Sequence, residues 1–201
     1  MRWYGHRARK LSDVSATTLE SSVVIAETTR WLERAVIGLN LCPFAKAVHV
    51  KGQIRYAVCL TASPEDLLTE LIRELQLLVA SDPNVTDTTL LIHPNVFSEF
   101  LDYNDFLEIV DATITELKLD GVIQIASFHP QYQFADTEPE DITNFTNRSP
   151  YPTLHLLREE SVTRAVAAFP EASVIFEKNI ETLERLGLTG WEKLLQTDDS
   201  A

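Results

Sequence analysis

Glycine is scarce in this 201-residue chain, with six in all, and none stands in a G-x-G-x-x-G fingerprint or a Walker loop. Backbone cradling of a nucleotide pyrophosphate needs such glycines, so Rossmann dehydrogenases and P-loop kinases are set aside. Cysteine is scarcer still: Cys42 and Cys59 stand 17 residues apart and form no CxxC pair. That usage argues against a disulfide framework and suits a reducing, cytoplasmic setting. The nucleophile elbow G-x-S-x-G and the zinc motif HExxH are missing as well. No apolar run approaches the roughly 18 residues of a membrane span, so no membrane role is expected. The N-terminal MRWYGHRARK is basic, but no apolar stretch follows it as a secretory signal would require. We read residues 1–16 as a basic tail and 17–201 as one domain. At 45% hydrophobic, the chain can bury a substantial core.

Positive charge is also in short supply, and it is unevenly spread. Residues 1–53 carry a net +4, whereas 54–201 carry nine basic and twenty-six acidic side chains, net −17. Nucleic-acid affinity rests largely on neutralising phosphates, so a body this acidic is not expected to bind nucleic acid.

What is present reads as alternating strands and helices. Thr17 and Glu20 have capping-box spacing, and apolar residues at helical period predict a helix from there to Leu41, stopped by Pro43. Ile54–Leu60 reads as a strand. Ser63 then caps a helix with Pro64 at its first position, and Leu68, Leu71, Leu75 and Leu78 give it a core face. Thr88–His93 is a second strand, and Ser98 precedes a helix that Asp120-Gly121 ends. Val122–Phe128 is a third strand, and Thr153–Leu157 is either a fourth, returning strand or a first helical turn. Two helices follow, near Glu160–Phe169 and Ala172–Leu186, the second with Gly187 as its cap. The expected fold is a single α/β domain: about four strands, mostly parallel, with helices packed against the sheet and the first and last helices on opposite faces. The ends of the first three strands then share one edge, where open α/β sheets place ligands. Thr61, Ser63, His93 and His129 gather there.

Between the third and fourth strands, residues 128–152 show no apolar period but are rich in proline and aromatic side chains. Such a connection is a binding or active-site loop unless it is disordered, and the aromatics speak against disorder. At Leu39–Val48 (LNLCPFAKAV), Phe128–Ala135 (FHPQYQFA) and Asn147–Val162 (NRSPYPTLHLLREESV) the chain resembles the domain-of-unknown-function family fourteen-fifteen, proteins from bacteria and some plants. The resemblance implies a soluble, cytosolic protein. It carries no activity, cofactor or catalytic residue onto any position.

Several side chains have the chemistry of a site. His93 and His129 each end a strand before a proline, and imidazoles there would serve as metal ligands or acid–base groups. His155 and a carboxylate from Asp136, Glu138, Glu140 or Asp141 would complete a divalent transition-metal centre. The competing reading makes each His-Pro a strand cap. Arg148 offers a guanidinium fork for a carboxylate or phosphate, with Asn144, Asn147, Tyr151 and Arg158 as further substrate contacts. Its competing reading is an arginine that stiffens the loop. Cys42 is either a nucleophile or a core thiol, and its place past a helix C-terminus opposes a thiolate. The expectation is an enzyme of small-molecule metabolism: a metal-assisted or His-dependent hydrolase or lyase. It would act on a small anionic substrate at the sheet edge under the 128–152 loop. The alternative is a non-catalytic module that binds a small anion or a protein partner through the same loop.

Overall fold

A computed structural model describes residues 19–168 and 174–196. Thr17, half of the expected capping box, and the basic tail lie outside the described residues. Helix α1 spans Ser21–Trp31 and continues as a π-helical turn over Leu32–Ile37, ending where Asn40 adopts the left-handed conformation at φ 56°. The short α2 (Ala45–Val50) leads into β1 (Ile54–Val58). At α3 (Pro64–Ala80) the expected cap is present: the Asp66 N–H donates to Ser63 Oγ at 3.2 Å. Strand β2 (Thr88–Ile92), α4 (Phe100–Glu116) and β3 (Ile123–Phe128) follow. The 128–152 connection holds a 3-10 turn at Ile142–Thr146 before β4 (Thr153–Arg158), α5 (Glu159–Ala168) and α6 (Ile175–Leu195). Gly187, at φ 63°, breaks α6 into two helical pieces, which agrees with its reading as a helix end.

The α/β architecture matches expectation, but the sheet is mixed and not mostly parallel. Its order is β1-β2-β4-β3: β1 and β2 run parallel, while β4 lies antiparallel between β2 and β3. The reason is in the connection. It leaves β3 at the C-terminal edge and never crosses the sheet, since the His93 N–H donates to Pro152 O and the His129 N–H to Asn147 O at that same rim. A strand entered from the edge where its predecessor ended must run backwards. The first three strands still point one way, so their ends do share an edge.

Period-2 alternation divides the sheet into two apolar faces. Leu91, Leu154 and Leu156 pack against Leu67, Leu71, Leu75 and Leu78 of α3 and Tyr103, Phe106 and Val110 of α4. On the other face, Leu90 and Ile92 meet Val24, while Trp31, Ala35 and Val36 pack with Leu183 and Trp191 of α6. The first and last helices therefore share one face. The expectation that they lie on opposite sides fails because α3 and α4 together already fill the first face.

Candidate functional site

His93 and His129 come to one rim, as the topology demanded, but not as an open pair. Both are completely buried on the α3/α4 face, with Tyr103 of α4 stacked between them. Ring centroids are 5.7 Å and 5.2 Å from the phenol, with planes 28° and 29° off parallel. The Tyr103 hydroxyl donates to Thr153 O at 2.9 Å. The Gln131 N–H donates to His129 Nδ1 at 3.0 Å, so the proton sits on Nε2 and bonds to Phe97 O at 3.0 Å. No lone pair of that ring is left for a metal. His93 donates through Nδ1 to Val96 O at 3.1 Å, and its buried Nε2 has no partner. Burial drives His93 down to about 4, with His129 adding to the effect and the Val96 carbonyl opposing it. Burial also lowers His129, against the pull of the Phe97 carbonyl and Glu99. Both are neutral packing groups at pH 7.

The loop residues act as staples. Asn144, fully buried, accepts from the Phe134 N–H and the Thr137 hydroxyl and donates to Glu138 O. Asn147 donates to Ser127 O, fixing the loop to β3. Arg148 donates through Nε to Tyr132 O at 3.1 Å and through Nη2 to Pro139 O, lying 4.3 Å over the Phe145 ring. The Tyr151 hydroxyl donates to Glu27 of α1. Arg158 donates to Leu78 O, Ser81 O and Thr86 O, closing the C-terminal end of α3. Asp141 caps the 3-10 turn through the Thr143 N–H and hydroxyl. Thr61 and Ser63 are likewise occupied at the α3 N-terminus.

His155 lies apart from the other two histidines. Its neighbours in β4, Leu154 and Leu156, enter the α3/α4 core, so alternation turns the imidazole to the opposite face. The expected three-histidine metal set is therefore not assembled, and no cluster of three or more His, Cys, Asp or Glu suited to a metal exists among the described residues.

Around His155 the structure opens a cavity of about 540 Å³. Its floor is the sheet face, with Ile54, Leu90, Ala126, Phe128 and Leu157. Its walls are Trp31, Leu32 and Val36 on one side, Cys42 to Val48 at α2, and Val162 and Ala165 of α5. The lining is mostly apolar, though Asp87, Ser161 and Arg158 also border it, and two neutral polar side chains on the floor have capacity to spare. The Thr88 hydroxyl donates to Leu156 O, so its oxygen accepts Nε2–H of His155 at 2.7 Å, leaving Nδ1 a bare acceptor. Gln124 lines the same floor one diagonal step away, since Ala126 pairs with His155 and Gln124 with Leu157. Its carboxamide makes no hydrogen bond with the described residues. Desolvation lowers His155 to about 4, so the ring is neutral. Burial raises the Cys42 thiol above its ordinary value, with the Phe44 and Ala45 backbone opposing. Neither group is a charged reactant at pH 7.

The model of a family described as protein of unknown function (DUF1415) matches residues 23–193. The chain belongs to the DUF1415 family. No curated protein and no solved structure matches it. The three stretches by which the chain resembles DUF1415 proteins meet at this one cavity: Cys42 to Val48 from the first, Phe128 from the second, and His155 to Val162 from the third. Reading the sequence singled out Cys42, His155 and Arg158 but did not place them together, and it missed Gln124. Nothing local marks a strand glutamine as facing a cavity; only the β3–β4 register does. Among the described residues no helix is long and apolar enough to cross a membrane.

Proposed function

We propose that this chain is a binding protein for a small, mostly apolar molecule, held between the sheet and helices α2 and α5. The single observation behind this reading is the 540 Å³ apolar cavity with two unspent polar side chains on its floor. Small-molecule sites are typically concave, apolar and of about 300–1,000 Å³, with a few polar groups that fix orientation. His155 would accept a hydrogen bond from the ligand through Nδ1, and Gln124 would both donate and accept. A neutral, flat body with one N–H or O–H donor suits that pair. A fully charged ligand suits it less: of the two charged side chains in the lining, Asp87 accepts from Ser161 and Arg158 is held by the Leu78, Ser81 and Thr86 carbonyls with Nε alone unpartnered, and burying a charge incompletely paired is costly.

Binding is favoured over turnover by the state of the candidate reactive groups. An imidazole held near 4 is a weak base at neutral pH, and a raised thiol is a poor nucleophile. The hydrolase or lyase at the strand ends has less in its favour. Its two imidazoles are stacked into the core, and its arginine already serves backbone carbonyls.

A direct test uses N-phenyl-1-naphthylamine, a flat apolar amine whose fluorescence rises in apolar surroundings. One equivalent should bind the wild type. Ala165→Phe, which fills the cavity from the α5 wall, should abolish the signal. His155→Phe should weaken binding roughly five- to tenfold, the worth of about one hydrogen bond. No saturable binding by the wild type, or undiminished binding by Ala165→Phe, would refute the reading.

A further inference from the structure

A second pocket, of about 270 Å³, lies at the C-terminal edge of the sheet, where the 128–152 loop meets α1 and α6. Arg30, Trp31, Phe145, Arg148 and Trp191 line it, together with Glu27. We propose that it is a binding site for a small carboxylate with a flat apolar body. This inference is independent of the cavity around His155.

The behaviour of the arginines carries the argument. Thirty carboxylates face seventeen basic side chains in this chain, and three of the described arginines are paired with acids. Arg55 forks onto Glu74, Arg73 bridges Glu70 and Glu74, and Arg164 pairs with Glu160. Arg30 does not. It has no hydrogen bond or ion pair among the described residues, although Glu27 lies one helical turn away and lines the same pocket. The Glu27 carboxylate instead accepts from the Tyr151 hydroxyl. Among the described residues Arg148 has no carboxylate within 4.0 Å either, and Glu140 acts on it only from farther away. The Nε and Nη2 of Arg148 are fixed by Tyr132 O and Pro139 O, and its plane is held over Phe145, while Nη1 has no partner among the described residues. Two guanidiniums against one engaged carboxylate leave the pocket positive within a strongly acidic protein. A fork held rigidly by backbone carbonyls loses little freedom when it takes an anion.

The rest of the lining sets the class of anion. Phe145 meets Trp191 edge-on at 5.2 Å, and Trp31 supplies a further aromatic wall. Bare phosphate would leave those rings unused and is too small to fill the pocket. A planar carboxylate would spread over them while its oxygens reach the arginines.

Isothermal titration calorimetry with benzoate, and separately with inorganic phosphate, tests this at low salt. We expect benzoate to bind with one-to-one stoichiometry, more tightly than phosphate, and to weaken as salt is raised. Arg30→Gln should raise the benzoate Kd about tenfold without lowering Tm, since Arg30 makes no hydrogen bond or ion pair with the described residues. Arg164→Gln, at an unrelated surface pair, should leave benzoate affinity unchanged. Absence of benzoate binding, equal affinity in Arg30→Gln, or phosphate bound as tightly as benzoate would overturn the assignment.

Discussion

Acid should unfold this protein through its buried imidazoles, and His93 allows the size of the effect to be worked out. Its folded value lies near 4, against about 6.5 for an exposed histidine. A lowered value means that the folded state resists protonation, so the contribution is fully present above about pH 6.5. It is lost as pH falls toward 4. The slope is about 1.4 kcal/mol per pH unit within that window, so at pH 5 the folded state has lost about 2 kcal/mol through His93 alone. To isolate the effect, His93→Asn keeps a side-chain N–H able to reach Val96 O but has nothing to titrate. Urea unfolding followed by tryptophan fluorescence, at pH 7.5 and pH 5.0, gives both stabilities. His129 and His155 titrate in both proteins, so the difference of differences reports His93. The variant should be less stable at pH 7.5, where it has lost the stacking with Tyr103. Its further loss on going to pH 5.0 should be smaller than that of the wild type by about 2 kcal/mol. Equal losses in the two proteins would show that His93 titrates normally, and the buried stack would have to be abandoned.

Two further substitutions test the staples. Arg158→Met keeps the apolar stem but takes the guanidinium from Leu78 O, Ser81 O and Thr86 O, leaving Leu78 O only the Ser81 N–H, and should cost about 2–3 kcal/mol in urea unfolding; a loss under about 0.5 kcal/mol would refute the capping role. Asn144→Ala leaves the Phe134 N–H without an acceptor and Glu138 O without its Asn144 donor, while the Thr137 hydroxyl keeps only Phe134 O. It should cost about 1–3 kcal/mol and speed hydrogen exchange across residues 128–152 while core strands stay protected; unchanged loop exchange would count against it.

Much of the fold was legible because local chemistry announced it. Ser63-Pro64 with two acids marks a helix start whatever lies around it, and α3 begins there. Of the leucines at helical spacing, Leu71, Leu75 and Leu78 are buried on α3 as expected, whereas Leu68 is only half-buried and Leu67 fills the core in its place. Sheet order was not legible, because nothing inside Thr153–Arg158 states which neighbours it will take. The loop was recognisable as ordered, but its residue types do not divide the two roles open to them: side chains rich in hydrogen-bonding groups can serve a ligand or the loop itself. Asn144, Asn147 and the Nε and Nη2 of Arg148 serve the loop, since a long connection with a single 3-10 turn must satisfy much of its backbone through side chains.

The cavity lies on the face opposite His93 and His129 for a reason that rests on a single register. Cross-strand partners share a face, and Leu154 pairs with Leu91 on one side and with Ser127 on the other. His93 lies two residues beyond Leu91, and His129 two beyond Ser127, so both rings fall on the side of Leu154. His155 is one residue beyond Leu154 and falls on the opposite side. Had β4 paired one residue out of step, the three imidazoles would have met on one face and Leu154 and Leu156 would have left the α3/α4 core. The two fully buried leucines decide against that slip. Burying them is worth about 1.5–3 kcal/mol each, and turning them outward would fill their place with a histidine. Packing of two apolar side chains thus determines where the polar chemistry lies, and it places His155 alone above an apolar floor.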